Sequence, residues 1–300
     1  MRAFPSCSGE NGVQVADCSL SNAPKNSHIL VTRVYRAKVR GCSCLITVTW
    51  SKNSMGQSLT VEIDDHSSNQ SLCKVDTKPW IFSKRKGRKT LEACSTLVDV
   101  HWDFSSAKFG AGPEPSEGFY VALVIDREMI LLLGDLKKEA FKKTDASSAP
   151  MAAVFIAKRE HIFGKKIFAT KAQFCNNGQV HDLVIECDSG SGINDLCLVI
   201  RVDSKRVMQV QRLDWKFRGN QTILIDGFAV EVYWDVHDWL FGTGVAPANA
   251  LFTFNLSAEK SWFTHSQQLV DPFSFPETFL DSKASSNLGF SLILHAWKHE

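Results

Sequence analysis

One pattern of residues occurs twice in this chain, 132 positions apart, and it constrains the fold more than any other feature. Val98-Asp-Val-His-Trp-Asp103 aligns with Val230-Glu-Val-Tyr-Trp-Asp235, and Phe109-Gly-Ala-Gly112 aligns at the same offset with Phe241-Gly-Thr-Gly244. Eight of the 18 aligned positions from 98 to 115 are identical, where about one is expected by chance. Any all-β chain can repeat a V-x-V-x-W pattern, but that does not explain the matched glycines. The pattern therefore predicts an internal duplication into two similar modules.

The rest of the chain is rich in short strand-like segments. Leu45-Ile-Thr-Val-Thr-Trp50 and Leu59-Thr-Val-Glu-Ile63 alternate apolar with polar residues, which is typical of strands with one solvent-exposed face. One helix is predicted from Leu136 to Lys143, with Asp135 as its N-cap. We therefore expect an all-β fold of two antiparallel β-sandwich-like modules with one short helix at the junction. Paired up-and-down barrels are the alternative.

Composition along the chain suggests where these modules begin and end. Residues 1–26 lack any periodicity and are predicted to form a flexible N-terminal arm. The first β module is expected over residues 27–135, the helix and linker over 136–150, and the second β module over 151–300. A groove between the two modules is the default place for a ligand.

Charge and cysteine content exclude several classes of protein. The chain has 34 Lys and Arg against 32 Asp and Glu, so its net charge does not indicate nucleic acid as a partner. It has no apolar run long enough for a signal peptide or a membrane span, which predicts a cytoplasmic or nuclear protein without transmembrane association. Its nine cysteines are odd in number and form no C-x-x-C pair. We therefore expect reduced thiols, no metal site and no cofactor.

The densest charge feature is the segment Lys84-Arg-Lys-Gly-Arg-Lys89, with five cations in six residues. The matching segment Lys216-Phe-Arg-Gly-Asn220 is less basic, but it also has a cation before its glycine. Such a cluster can bind phosphate or other anionic groups. Alternatively, it is a solvated turn whose charge blocks pairing at a sheet edge. The candidate anion-binding residues are Lys84, Arg85, Lys86, Arg88 and Lys89.

Several long motifs resemble one known family. They include Lys78-Pro-Trp-Ile-Phe-Ser-Lys-Arg-Lys-Gly87, Leu131-Leu-Leu-Gly-Asp135, His161-Ile-Phe-Gly-Lys-Lys166 and Trp215-Lys-Phe-Arg-Gly-Asn-Gln-Thr222. Together with the repeated tryptophan segments they resemble a plant-specific family known only as domain of unknown function 868, over roughly residues 27–298. The resemblance implies a plant origin. It carries no established activity and no catalytic residue.

No catalytic residue is predicted from the sequence itself. His237-Asp238 could orient a general base, and Asp64-Asp65 and Asp99/Asp103 could pair as carboxylates, although such acids at a strand end more often form turns. There is neither a G-x-S-x-G turn nor a phosphate-binding G-x-x-x-x-G-K-[ST] loop. The leading hypothesis is a non-enzymatic binding or scaffold protein with an unknown partner, either a protein or an anionic ligand. One alternative is a carrier of a small apolar ligand in a β-barrel cavity. The other is an enzyme with an active site in the groove between the modules.

Overall fold

The structure, a computed structural model, describes most of the chain between residues 29 and 298. Within the described residues it forms nineteen strands and two short helices, so the predicted all-β class is confirmed. The described residues are 29–39, 41–65, 71–76, 85–93, 96–147, 153–174, 179–189, 196–242, 248–256 and 289–298.

The first half of the chain forms strands whose apolar residues alternate in and out of a core. In β2, Ile46, Val48 and Trp50 are buried whereas Thr47 and Thr49 are half-buried, which is the period of two expected for a strand. The elements of this half are β1 (Ile29–Val39), β2 (Cys42–Asn53), β3 (Gly56–Asp65), β4 (Ser71–Asp76), β5 (Lys86–Ala93), β6 (Thr96–Asp103), β7 (Lys108–Phe109), β8 (Pro115–Glu117), β9 (Tyr120–Ile125), β10 (Glu128–Gly134) and α1 (Lys137–Thr144).

The second half continues with nine strands and one helix in the described residues. Its strands follow the same alternation: in β17, Val230, Val232 and Trp234 are buried, and the residues between them are more exposed. The elements are β11 (Val154–Gly164), β12 (Ile167–Gln173), β13 (Val180–Ser189), β14 (Leu196–Val202), β15 (Lys205–Gln211), β16 (Arg218–Ile225), β17 (Phe228–Asp235), α2 (His237–Phe241), β18 (Asn249–Leu256) and β19 (Ser291–Lys298).

The strands form one large sheet and several small ones. The large sheet has nine strands in the order β16-β17-β18-β19-β11-β1-β2-β3-β4. Two four-stranded sheets have the orders β10-β9-β6-β5 and β12-β13-β14-β15, and β7 pairs with β8. Every ladder between these strands is antiparallel except that of β11 with β19, which is parallel. None of these sheets closes on itself, so the paired-barrel alternative is wrong.

Two separate hydrophobic cores lie on the inner faces of these sheets. The first core joins strands β1–β4 to the β10-β9-β6-β5 sheet and contains Trp50, Phe104 and Leu123. The second joins β16–β19 to the β12-β13-β14-β15 sheet and contains Phe168 and Phe254. Each core is thus enclosed by two antiparallel layers, which is the sandwich arrangement that the sequence predicts.

Strand β11 connects the two halves. It pairs with β1 on one side and with β19 on the other, so the nine-stranded sheet runs through both halves without interruption. Its inner face carries an ion pair between Lys158 Nζ and Glu160 Oε2 at 2.7 Å, and both side chains are less than one fifth exposed. Thr170 donates a hydrogen bond to the same Glu160 oxygen at 2.6 Å. A satisfied polar cluster therefore lies on the strand that joins the two halves.

The helices only partly follow the sequence-based expectation. Helix α1 lies within one residue of its predicted bounds and packs its Ala140 against a third cluster on the outer side of β9 and β10. Asp135 is not its N-cap, because its carboxylate accepts the backbone N–H groups of Gly118 and Phe119 at 2.8 and 3.1 Å. Helix α2 is absent from the sequence-based expectation and follows the second tryptophan segment directly.

We expect the two halves to unfold together, because their backbones share the β11 ladders. A proline at Ala157, which pairs with Val34 and Ser291, removes a donor in the centre of a sheet. Ala157→Pro should lower the free energy of unfolding by about 3 kcal/mol or more. Calorimetry of the unmodified chain should show one transition with equal calorimetric and van't Hoff enthalpies. Two separated transitions would contradict this coupling.

Candidate binding site

A glycine on one strand lies against a tryptophan ring on its neighbour in both halves of the chain. Gly87 of β5 pairs with Trp102 of β6, and Gly219 of β16 pairs with Trp234 of β17. A β-carbon at Gly87 would lie 2.5 Å from Cζ2 of Trp102, and one at Gly219 would lie still closer to Cζ2 of Trp234. Only glycine therefore allows the indole to lie flat against the neighbouring strand.

The contacts around these two glycines also correspond. In both halves, the residue before the glycine forms an ion pair with the aspartate that follows the tryptophan. The residue after that aspartate donates a backbone hydrogen bond to the carbonyl oxygen of the residue two positions before the glycine. In the first half these contacts are Lys86–Asp103 at 3.1 Å and Phe104 N to Arg85 O at 2.7 Å. In the second half they are Arg218–Asp235 at 2.8 Å and Val236 N to Phe217 O at 2.9 Å.

An open groove of about 570 Å³ lies beside this tryptophan in the second half. It runs between β15 and β16, which are edge strands of two different sheets. The indole of Trp234 lines it and donates a hydrogen bond from Nε1 to the carbonyl oxygen of Lys216 at 2.9 Å. The polar side chains that line it are Gln209, Gln211, Lys216, Arg218, Asn220 and Gln221.

The groove is positively charged as well as polar. No carboxylate lines it. Residues 204–221, which include β15 and the first half of β16, contain five Lys and Arg and one Asp. Arg218 is paired with Asp235, whereas the side chain of Lys216 is exposed. Amide groups both donate and accept hydrogen bonds, so the groove can bind a polar or anionic group.

The basic cluster predicted from the sequence lies on the corresponding strand of the first half. Lys84 is outside the described residues, and Arg85 immediately precedes β5, which carries Lys86, Arg88 and Lys89. Arg88 holds Asp99 through two hydrogen bonds of 2.8 and 3.2 Å. Lys86 is held by Asp103 in the same way as Arg218 is held by Asp235. Anion binding by this cluster stays a prediction, and two of its cations already have carboxylate partners.

The ionised forms of Asp99 and Asp103 are stabilised by their hydrogen-bond partners. Burial opposes ionisation of Asp99, but a hydrogen bond from Thr90 and the pairing with Arg88 hold the pKa of Asp99 below its usual value. For Asp103, hydrogen bonds from Ser105 and Lys86 likewise outweigh burial and lower its pKa. The outer face of β5 and β6 is therefore a row of ion pairs at neutral pH.

His181 is held by two carboxylates and is unlike the other histidines described below. Its Nδ1 lies 2.7 Å from Asp203 Oδ2, and its Nε2 lies 2.8 Å from Asp226 Oδ2. Both aspartates have positive φ and occupy two-residue turns, the first between β14 and β15 and the second between β16 and β17. The imidazole thus connects the two sheets that enclose the second core. Because both ring nitrogens are occupied, it is positioned for stability and not for proton transfer.

The remaining histidines do not form a catalytic set among the described residues. His237 Nδ1 lies 3.1 Å from Asp238 Oδ1 on α2, at the surface. The rings of His161 and His295 lie 5.4 Å apart on paired strands. Burial, together with the nearby His161 and Arg159, lowers the pKa of His295 to about 4. No group of three metal-ligating side chains converges in the described part of the chain.

The described residues also bear on the membrane and thiol predictions. Neither described helix is long and apolar enough to cross a membrane. Cys42, Cys44, Cys187 and Cys197 are not in disulfide bonds, and Cys44 and Cys187 are buried.

Sequence reasoning identified the strands on both sides of the groove but not the groove itself. It predicted a ligand site between the two halves, whereas this groove lies within the second half, at an open edge of its sandwich. In the sequence, the segment from Lys216 to Asn220 is only a less basic counterpart of the cluster from Lys84 to Lys89. The sequence difference that could have indicated the groove is that Asn220 and Gln221 follow Gly219, whereas Arg88 and Lys89 follow Gly87.

The fold and this groove define a class of protein: an all-β protein of two sandwich-like halves that share one sheet, with a polar groove at a sheet edge. The chain belongs to the family of plant proteins of unknown function called DUF868, whose family model matches residues 26–298. No curated protein and no solved structure matches the chain. The family carries no established activity, so function has to be argued from the residues.

The contact between glycine and tryptophan predicts the effect of a single methyl group. Gly219→Ala and Gly87→Ala should each lower the free energy of unfolding by about 1–3 kcal/mol, because the added β-carbon overlaps the indole. Gly110→Ala is the control, since a β-carbon there meets nothing within 4 Å. Urea unfolding followed by tryptophan fluorescence measures all three. Equal stability of the three variants would contradict the close contact.

The bridge at His181 predicts a specific pH dependence. Its hydrogen bonds to Asp203 and Asp226 outweigh burial and raise the pKa of His181. The charged bridge therefore stabilises fully below about pH 6.5, the unfolded value, and its contribution is lost as pH rises through the raised pKa. The same hydrogen bond lowers the pKa of Asp203, so this contribution falls again below about pH 4.

We therefore expect His181→Gln to destabilise the protein most near pH 5 and progressively less as the pH rises. Urea unfolding of both proteins at several pH values between 5 and 9 measures this difference. His237→Gln, at a half-buried histidine with one carboxylate neighbour, is the control and should show a smaller difference. A stability difference for His181→Gln that grows with pH would contradict the charged bridge.

Proposed function

We propose that this protein is a non-enzymatic binding protein that holds a polar, anionic partner in the groove between β15 and β16. The observation that carries the proposal is the lining of the groove, which combines four amide side chains with Lys216 and Arg218 and includes no carboxylate. Amides and cations at an open edge provide hydrogen bonds and charge for a partner that arrives from solvent.

The alternatives have less support from the described residues. A carrier of apolar ligands requires an enclosed apolar cavity, whereas the groove is open and mainly polar. An enzyme requires a nucleophile or general base close to a bound substrate. His181, the buried histidine with the most polar partners, already has carboxylates on both ring nitrogens. No observation favours a reaction at the groove.

We also propose that the two halves, taken as modules over residues 27–135 and 151–300, derive from one duplicated unit. The matching contacts of Gly87 with Trp102 and of Gly219 with Trp234 support this, because they share register, ion pair and loop hydrogen bond. The basic cluster on β5 then corresponds to the groove side of β16. It is a second, weaker candidate for anion binding, since an anion there competes with Asp99 and Asp103.

Charge reversal in the groove tests the proposed function. Polyglutamate, a sulfated heparin oligosaccharide and neutral maltohexaose serve as probes, and binding to the full chain is measured by isothermal titration calorimetry. We expect at least one anionic probe to bind and its affinity to fall at least tenfold in Lys216→Glu. The same charge change at Lys142 of α1, on another surface, should leave binding within twofold.

Two results would contradict this proposal. One is equal loss of affinity in the Lys216 and Lys142 variants, which would indicate unspecific attraction by net charge. The other is the absence of binding by every probe.

A cytoplasmic or nuclear location stays a prediction, and imaging of a fluorescent fusion in plant cells addresses it directly.

A further inference from the structure

Strand β16 forms one outer edge of the nine-stranded sheet, and most of it carries no charge. From Gly219 to Ile225 the sequence is Gly-Asn-Gln-Thr-Ile-Leu-Ile, seven residues without an ionisable side chain. Asn220, Gln221, Thr222 and Leu224 are all exposed. An exposed edge strand offers a row of unpaired backbone N–H and C=O groups, which can pair with another chain.

The other edges of the described four-stranded and nine-stranded sheets carry the usual protection against such pairing. Strands β4, β10 and β15 are each irregular, with a shift in register against the neighbouring strand. Strand β12 has Lys171 paired with Asp182, and β5 has Lys86, Arg88 and Lys89. By contrast, β16 pairs with β17 in unbroken register from Arg218 to Ile225 and has no proline. Among the sheet edges in the part of the chain that the structure describes, β16 alone combines regular geometry with an uncharged run, Gly219 to Ile225.

The surroundings of this edge indicate the chemistry of a partner. Lys205, Arg206, Arg212 and Lys216 lie on β15 and in the loop that leads into β16, and Asp214 is the only acid among them. Next to Lys216, the indole of Trp215 is 80% exposed, and Leu224 near the far end of β16 is 71% exposed. Lys216 thus lies just before the start of β16, the other cations lie on or just after the facing strand β15, and exposed apolar side chains lie near both ends of β16.

We propose that an extended acidic segment of a partner polypeptide adds to β16 as a further strand of the nine-stranded sheet. A segment of eight residues spans about 27 Å, the length of β16. Backbone hydrogen bonds to the unpaired edge hold it, and its side chains alternate between the two faces of the sheet. Acidic side chains reach the cations near Lys216, and apolar side chains contact Trp215 or Leu224. This inference rests on the proposed function of the same groove.

Labelled ten-residue peptides that alternate Val with Glu, Thr or Lys provide the test. Binding to the full chain is measured by fluorescence anisotropy. We expect the Glu peptide to bind at least tenfold more tightly than the Thr peptide, and the Lys peptide not to bind. Two further Glu peptides carry N-methyl groups on one or the other alternate set of residues. Strand addition requires that at least one of these methylated peptides loses affinity tenfold or more.

Matched variants locate the site. Gln221→Glu and Lys89→Gln occupy corresponding positions on β16 and β5 and change the net charge by the same amount. Strand addition at β16 predicts at least tenfold weaker binding of the Glu peptide to Gln221→Glu and a change of less than twofold for Lys89→Gln. Equal effects of the two variants would overturn the assignment to β16.

Several other outcomes would also overturn this inference. Two of them are undiminished binding of both methylated peptides and failure of the Glu peptide to bind. A third is a dimer in sedimentation experiments that Gln221→Glu abolishes, because a second copy of the chain would then be the partner at β16. If heparin binds in a manner that depends on Lys216 while the peptides do not, strand addition is wrong and the proposed function remains. If no probe responds to Lys216→Glu, both fail.

Discussion

The ladders that β11 makes with β1 and β19 are the interaction on which the rest of the structure depends. Backbone groups buried in the centre of a sheet must be paired, so one strand between the halves commits both to a common sheet. Phe155 at the start of β11 packs against both cores, whereas further along the same strand Lys158 and Glu160 form an ion pair instead of extending that apolar contact. Removing one partner of this largely covered ion pair leaves a poorly solvated charge, which favours this one register.

A continuous sheet also decides where its edges lie. With β11 in the centre, the edges are β4 and β16, at opposite ends of the nine-stranded sheet. The open side of the second sandwich, between β15 and β16, is therefore distant in the sheet order from the strand that joins the halves. A partner that binds there does not need to disturb the pairing of β11, so binding and stability depend on different strands.

Sequence alone predicted much of the fold, and its failures have physical causes. Alternation revealed strands such as β2 and β17, whose two faces differ strongly in burial. The sequence predicts only Ala153 to Ile156 as a strand at β11, because Lys158, Arg159 and Glu160 interrupt the apolar pattern. Lys158 and Glu160 are also held by Thr170 and by the carbonyl oxygen of Lys171, both on β12, and no local pattern contains these tertiary contacts. The sequence does not predict the groove for a similar reason. The position of the groove depends on which strands become sheet edges, and pairing between distant segments decides that.

The two glycine-containing strands show how similar backbones can acquire different surfaces. In both, the glycine is required by the indole it faces, and the preceding cation is held by an aspartate. Beyond that point the strands differ: Arg88 is held by Asp99, whereas the corresponding Asn220 is exposed on the outer face of β16. Charge on β5 opposes the approach of another strand, and its absence on β16 permits it. Because the shared contacts fix the backbone, substitutions at the exposed positions can change what an edge binds while leaving the core contact intact.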